Sequence, residues 1–197
     1  LGEGELGLVI GDVADKGMAS ALFMANCRNV IRASMLSARK PRAGIRDANR
    51  LICADAAEGI FLTLFYARLD LDTGLLIYVN AGHNPPLLVS GSDAGINTLD
   101  RTGMALGVDS DAEFKEGEAQ LDRGDLLCLY TDGVTEAVSR ANKEFGLNRL
   151  ENLLGEQQAQ EAEGILKGLE HQLELFTGPG LPFDDITMLL AKREGSP

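Results

Sequence analysis

Apolar residues recur along this chain with two periods, and the change from one to the other marks out its elements. Leu6 to Ile10 is a short apolar run that predicts a strand. From residue 18 to 38 the spacing turns helical. Phe23, Cys27, Val30, Ile31 and Met35 fall at i, i+4, i+7, i+8 and i+12 and form one stripe. Pro41 opens a second helix to about residue 57, with Ile45, Ala48, Asn49 and Ile52 on one side. Residues 61–69 are rich in apolar and aromatic residues on both faces, the pattern of a central strand. Asp70-Leu71-Asp72-Thr73-Gly74 is a turn, and residues 75–81 return as the hairpin partner.

Gly82-His83-Asn84-Pro85-Pro86 breaks that pattern. Short strands are predicted at 87–89 and 96–99, a glycine-bearing loop at 102–108, and further strands at 113–121, 126–130 and 186–191. Two more helices are predicted. One covers 145–154. The other starts near Gln158, with Ala162, Ile165, Leu166, Leu169, Leu173 and Phe176 on one side. Residues 177–182 form a Gly/Pro loop. Many short strands with two pairs of helices imply an α+β fold. The 197 residues suit a single domain, with neither an internal repeat nor an interdomain linker.

Charge narrows the partners. Lys and Arg number 18 against 30 Asp and Glu, a net charge of -12, which disfavours a nucleic-acid surface. The acidity serves solubility, and some of the carboxylates could also bind cations. Arg28, Arg32 and Arg39 lie off the first helix's stripe, as a solvated face or a docking patch for an acidic or phosphorylated partner. No apolar run approaches the ~18 residues of a membrane span. Cys27, Cys53 and Cys128 have no C-x-x-C spacing and are expected as small core residues in a reducing, cytoplasmic setting. The chain lacks an initiator Met and is expected to be the C-terminal part of a longer multidomain protein.

Three acidic segments at strand ends carry the candidate chemistry. They are Gly11-Asp12-Val13-Ala14-Asp15-Lys16-Gly17, Tyr130-Thr131-Asp132-Gly133, and Asp184-Asp185-Ile186-Thr187. Far apart in sequence, they could converge on one divalent metal cluster. Mg2+ and Mn2+ prefer oxygen ligands and keep several waters, so a few carboxylates suffice. Two metals ~3.5–4 Å apart can lower the pKa of a bridging water and clamp a phosphoryl oxygen. The chain has no G-x-S-x-G and no Cys-x5-Arg loop to supply a nucleophile. Asp-Gly pairs are also common in ordinary turns, so residue chemistry alone leaves both readings open.

The ordered set of motifs resembles the stage II sporulation protein E-type phosphatases, bacterial members of the metal-dependent PPM (type 2C) serine/threonine phosphatases. The matching segments run from Ile10–Gly17, with Ala21-Leu22 behind it, through Phe61–Tyr66, Tyr78–Pro86 and Ala105–Val108. They continue with Gly124-Asp125, Tyr130–Ala137, Phe145-Gly146 and Asp184–Thr187, and so span nearly the whole chain. The resemblance implies two packed antiparallel β-sheets flanked by helices, an αββα sandwich over residues 1–197. It also implies two metals, Mn2+ or Mg2+. Asp12 would bridge both, the backbone carbonyl of Val13 would ligate one, and Asp132 and Asp184 would bind through their carboxylates. These aspartates would together hold the attacking water. Asp185 stands where relatives often have Asn and, with Asp15, Gly17 and Gly133, would support the ligands. Asp15 is expected to shape its loop and Gly17 to permit the turn into the helix.

His83 belongs to a family motif and is expected in a structural hydrogen bond, and His171 is expected to be exposed. Eukaryotic relatives carry a histidine just after the second-motif Asp. Ala14 and Asp15 stand there, so water would supply the proton. Relatives begin with a Gly-Gly-Asp strand that this sequence lacks. The chain is therefore expected to be truncated at its N-terminus or degenerate, with a weakened metal site and a free sheet edge through which two copies could pair as a homodimer. The implied activity is hydrolysis of phosphoserine or phosphothreonine on an anti-sigma-factor antagonist, under control of an upstream sensor or receiver domain. A non-catalytic binding module in a partner-switching complex is the alternative, and a two-metal phosphodiesterase or nuclease is disfavoured by the absence of a basic groove.

Overall fold

A computed structural model describes residues 2–56, 59–93, 95–178 and 185–194. The architecture is two four-stranded antiparallel sheets with flanking helices, the α+β class that the pattern implies. The chain divides into two compact units, one comprising residues 1–83 and 100–120, the other 84–99 and 121–197.

The first unit holds β1 (Glu5–Val13), α1 (Met18–Ser37), α2 (Pro41–Asp55), β2 (Leu62–Asp70), β3 (Leu75–Ala81) and, after the excursion through the second unit, β6 (Gly117–Gln120). Its sheet order is β1-β2-β3-β6. The β2–β3 turn forms where expected, because the Asp70 carboxylate accepts the backbone N–H groups of Asp72 and Thr73. Leu62, Leu64 and Tyr66 on one face of β2 form a core with Phe23, Cys27, Ile31 and Met35 of α1 and Ile45, Ala48 and Ile52 of α2. Phe65, Ala67 and Leu69, on the other face, are buried as well, so β2 buries apolar residues on both faces. β1 is an edge strand, and among the described residues only β2 pairs with it.

The second unit holds β4 (Leu87–Val89), β5 (Ile96–Thr98), β7 (Leu126–Tyr130), α3 (Asp132–Thr135), α4 (Leu147–Gln157), α5 (Ala162–Thr177) and β8 (Met188–Lys192), with sheet order β5-β4-β7-β8. Leu87, Val89, Leu126, Cys128 and Tyr130 form a core with Leu150 and Leu154 of α4 and Ile165, Leu169 and Leu173 of α5. Asp125 is a buried carboxylate that stays satisfied, since it accepts the N–H of Gly91 and of Asp122, both at 2.8 Å.

Three elements depart from the pattern. The strand expected over 113–121 is reduced to β6. Ahead of it, the Lys115 N–H turns back to the Thr102 carbonyl, and Phe114 is buried in the α1–α2 core. The strand expected from residue 186 begins at Met188. The segment after Tyr130, expected only as a strand end, turns at once into the single helical turn α3. Cys27 and Cys128 are buried as expected, but Cys53 is only half-buried, on the wall of a groove with Gly107 and Asp109. His171 is exposed. Within the expected Gly/Pro loop, residues 179–182 lie outside the described residues.

Candidate metal centre

In the first unit the candidate ligands sit where β1 ends. Asp12 pairs with Thr63 and Val13 with Leu62. The Ala14 N–H still reaches the Phe61 carbonyl at 2.9 Å, so the ladder holds one residue past the strand. Side chains alternate across a strand, which puts the half-buried Asp12 on the face of Thr63 and Phe65, away from the helices. The Thr63 hydroxyl donates to the Asp12 carbonyl at 3.3 Å.

The chain then leaves the strand through two left-handed residues. Asp15 has φ 89°, and its carboxylate accepts the N–H of Lys16 at 2.8 Å, so its visible contact is within the loop. Gly17, at φ 111° and ψ -171°, precedes the first residue of α1. Nothing crowds the place of its missing Cβ, so the backbone conformation is what calls for glycine. Its carbonyl accepts the Ala21 N–H at 3.0 Å and starts the helix.

In the second unit Asp132 is the first residue of α3, half-buried, with Thr131 before it and the buried Gly133 after it. Its carbonyl accepts the Glu136 N–H at 2.8 Å and the Thr135 hydroxyl at 3.1 Å, which closes the turn. Thr131 is a splice that sequence reasoning passed over. Its hydroxyl donates to the Asp185 carbonyl at 2.9 Å and accepts the Thr187 N–H at 3.0 Å, while its own N–H donates to the Thr187 carbonyl at 3.1 Å. Asp132 and Asp185 are thereby brought to the same end of the β7–β8 pair, with Asp185 exposed. Asp184 lies outside the described residues.

Among the described residues no three His, Cys, Asp or Glu side chains form a cluster that could hold a metal. The donor chemistry still fits a hard divalent cation, because the candidate atoms are carboxylate and carbonyl oxygens without thiolate or imidazole. The signal that could have found Thr63 and Thr131 is positional: one lies directly across the ladder from a candidate aspartate, and the other directly precedes one.

His83 meets the expectation of a hydrogen bond. It is 1% exposed, and its Nδ1 lies 2.9 Å from the Thr63 hydroxyl.

The family described as "Stage II sporulation protein E (SpoIIE)" matches residues 2–194. Protein IcfG of Synechocystis sp. (strain ATCC 27184 / PCC 6803 / Kazusa) is 31% identical over 220 residues, covering 98% of this chain and 34% of IcfG. Phosphoserine phosphatase RsbU of Bacillus subtilis (strain 168) is 28% identical over 191 residues, covering 96% of this chain and 56% of RsbU. Among solved structures, the RsbU and RsbW domains of Rv1364c from Mycobacterium tuberculosis superpose with a TM-score of 0.83 at 26% identity, covering 97% of this chain and 52% of that one. The chain thus spans from 34% to 56% of the length of these two curated relatives.

Proposed function

Since the chain belongs to the stage II sporulation protein E (SpoIIE) family, we propose that it is a metal-dependent protein serine/threonine phosphatase. The observation that carries this reading is the match over residues 2–194, with Asp12 at the end of β1 and Asp132 just after β7. RsbU, 28% identical over the 191 aligned residues, is itself described as a phosphoserine phosphatase.

In this reading the Asp12 carboxylate, the Val13 carbonyl, Asp132 and Asp184 hold Mn2+ or Mg2+. Bound metal would supply a water of lowered pKa and offset charge on the phosphoryl oxygens. The ladder with β2 holds the Asp12–Val13 backbone in register. The Thr131 splice keeps Asp132 beside the 185–187 segment. Asp15 and Gly17 shape the loop after Asp12, while Gly133 and Asp185 flank the other two aspartates. The reaction forms one O–P bond from water and breaks the ester O–P bond, and the departing serine oxygen takes a proton from water because Ala14 and Asp15 offer no histidine there.

The substrate in this reading is a phosphorylated anti-sigma-factor antagonist met in the cytoplasm, as the family resemblance implies. The input in this reading is a sensor or receiver domain in the same polypeptide, again as the resemblance implies. No helix among the described residues is long and apolar enough to cross a membrane.

Phosphate release from a phosphorylated antagonist domain, with Mn2+ titrated, tests the reading. Turnover should depend on metal. Asp12→Asn and Asp132→Asn should lose more than the about 10–100-fold typical of outer-shell changes at metal sites. No turnover under any metal, with antagonist binding intact in Asp132→Asn, would replace the enzyme with a binding module.

A further inference from the structure

We propose that His83 and Thr63 are a positioning pair for the metal centre, acting through the peptide that joins Asp12 to Val13. The inference rests on the assignment of those two residues as ligands and adds what holds them.

The peptide concerned lies between the two ligands. The Asp12 carbonyl is one end of it, and its orientation sets ψ of Asp12 and φ of Val13. It therefore governs both where the Asp12 carboxylate starts and where the Val13 carbonyl points. The Thr63 hydroxyl donates to the Asp12 carbonyl at 3.3 Å and sits 2.9 Å from Nδ1 of His83. A threonine hydroxyl has one hydrogen. In the proposed arrangement that hydrogen goes to the Asp12 carbonyl and the oxygen accepts from a protonated Nδ1 of His83. The imidazole thus selects the direction of the Thr63 hydroxyl, which would otherwise be free to rotate away.

His83 is itself fixed on more than one side. Its backbone N–H donates to the Asn80 side-chain oxygen at 2.9 Å, and its carbonyl accepts Nε of Arg101 at 3.3 Å. Asn80 is fully buried, and its backbone bonds twice to Thr102 and once to Gly103. Gly82, at φ 76°, brings the turn so close to residue 105 that a Cβ would stand 2.9 Å from the Ala105 nitrogen. The His83 backbone cannot shift without displacing the end of β3 and the 102–106 loop together, and the ring it carries is buried. A rigid anchor 20 residues from Thr63 in sequence is thereby coupled to the strand end that carries the ligands.

Four variants of the full chain separate this role from simple packing. Thr63→Val and His83→Phe keep volume but remove the bond. Thr63→Ser and His83→Asn keep a hydroxyl, or an N–H near the Nδ1 position. Mn2+ affinity is measured by calorimetry and electron paramagnetic resonance on protein shown to be folded by circular dichroism. Thr63→Val and His83→Phe should each weaken Mn2+ binding about 10–100-fold, as outer-shell changes at metal sites do. Thr63→Ser and His83→Asn should recover most of it. In the metal-free protein, a slowly exchanging imidazole N–H signal from His83 should be present and should vanish in Thr63→Val.

Wild-type Mn2+ affinity in Thr63→Val, or no recovery in Thr63→Ser, overturns the proposal even if His83→Phe does not fold. Asp12→Asn distinguishes the two levels. If it abolishes Mn2+ binding while Thr63→Val binds normally, only the positioning pair falls. If Asp12→Asn binds Mn2+ like the wild type, the ligand assignment falls and the pair with it.

Discussion

Replacing Asn49 by alanine isolates a polar clamp inside an otherwise apolar core. Asn49 is fully buried on α2. Its Nδ2 donates to the Asp109 carbonyl at 2.7 Å, and its Oδ1 accepts the Gly107 N–H at 3.0 Å. Alanine removes both bonds, and with them the weak one that Oδ1 accepts from the Cys53 thiol at 3.6 Å, with unequal consequences. The Asp109 carbonyl keeps the Ala112 N–H at 3.2 Å, so its loss is that of one ordinary bond, about 1 kcal/mol. The Gly107 N–H is left without that acceptor, at about 1–3 kcal/mol. Gly107 also lines an open groove of about 750 Å³ where water can replace the acceptor, which favours the lower part of that range. The expected loss is about 2–3 kcal/mol, or a fall in Tm of roughly 4–12 °C for a chain of this size. Urea unfolding followed by circular dichroism measures it. Asn49→Asp is the sharper comparison. It can still accept from Gly107 but sets a carboxylate oxygen against the Asp109 carbonyl, so near neutral pH it should be less stable than the alanine variant. A loss below about 0.5 kcal/mol in Asn49→Ala, or wild-type stability in Asn49→Asp, would refute the reasoning, because an exposed polar side chain behaves that way.

Two further outcomes follow from burial. Burial pushes the Cys27 thiol up to about 11 and the Cys128 thiol up to about 12, whereas Cys53 is half-buried with a smaller upward shift. A thiol reagent near neutral pH should therefore modify one cysteine of the native protein, slowly, and all three only in denaturant; two thiols reacting natively at equal rates would contradict the packing. Burial also lifts Tyr130 to about 12 from its ordinary 10.0, and Cys128 to about 12 from 9.0. With folded values raised, their contribution is complete below about pH 9 and is lost as pH rises towards 12, so unfolding free energy should decline over that window. Tyr130→Phe and Cys128→Ala should each flatten the decline, and an unchanged slope in both would count against it.

Much of the local structure could be read from the chain because its causes act within a few residues. The stripe from Phe23 to Met35 marks α1, Pro41 marks the start of α2, and the Asp70 carboxylate closes the turn of the hairpin it was expected to close. The aspartates at 12, 132 and 185 stood out for the same reason, as acidic residues just beyond apolar runs or just before one. What the pattern could not disclose depends on which strands pair and in which register. Thr63 faces Asp12 only because β2 lies beside β1, and His83 reaches Thr63 only because β3 returns along β2. Asn49 could be placed on the buried face of α2, but its two loop partners lie 58 and 60 residues away. Thr131 meets Asp185 and Thr187 across a ladder whose strands are joined through the helices α3 to α5. Residues 113–116 alternate like a strand, yet the competing gain of burying Phe114 draws them away. Periodicity and turn chemistry record short-range forces, and those the sequence carries openly. The hydrogen bonds that hold the acidic strand ends join residues distant along the chain, and only the paired strands bring them within 3.3 Å.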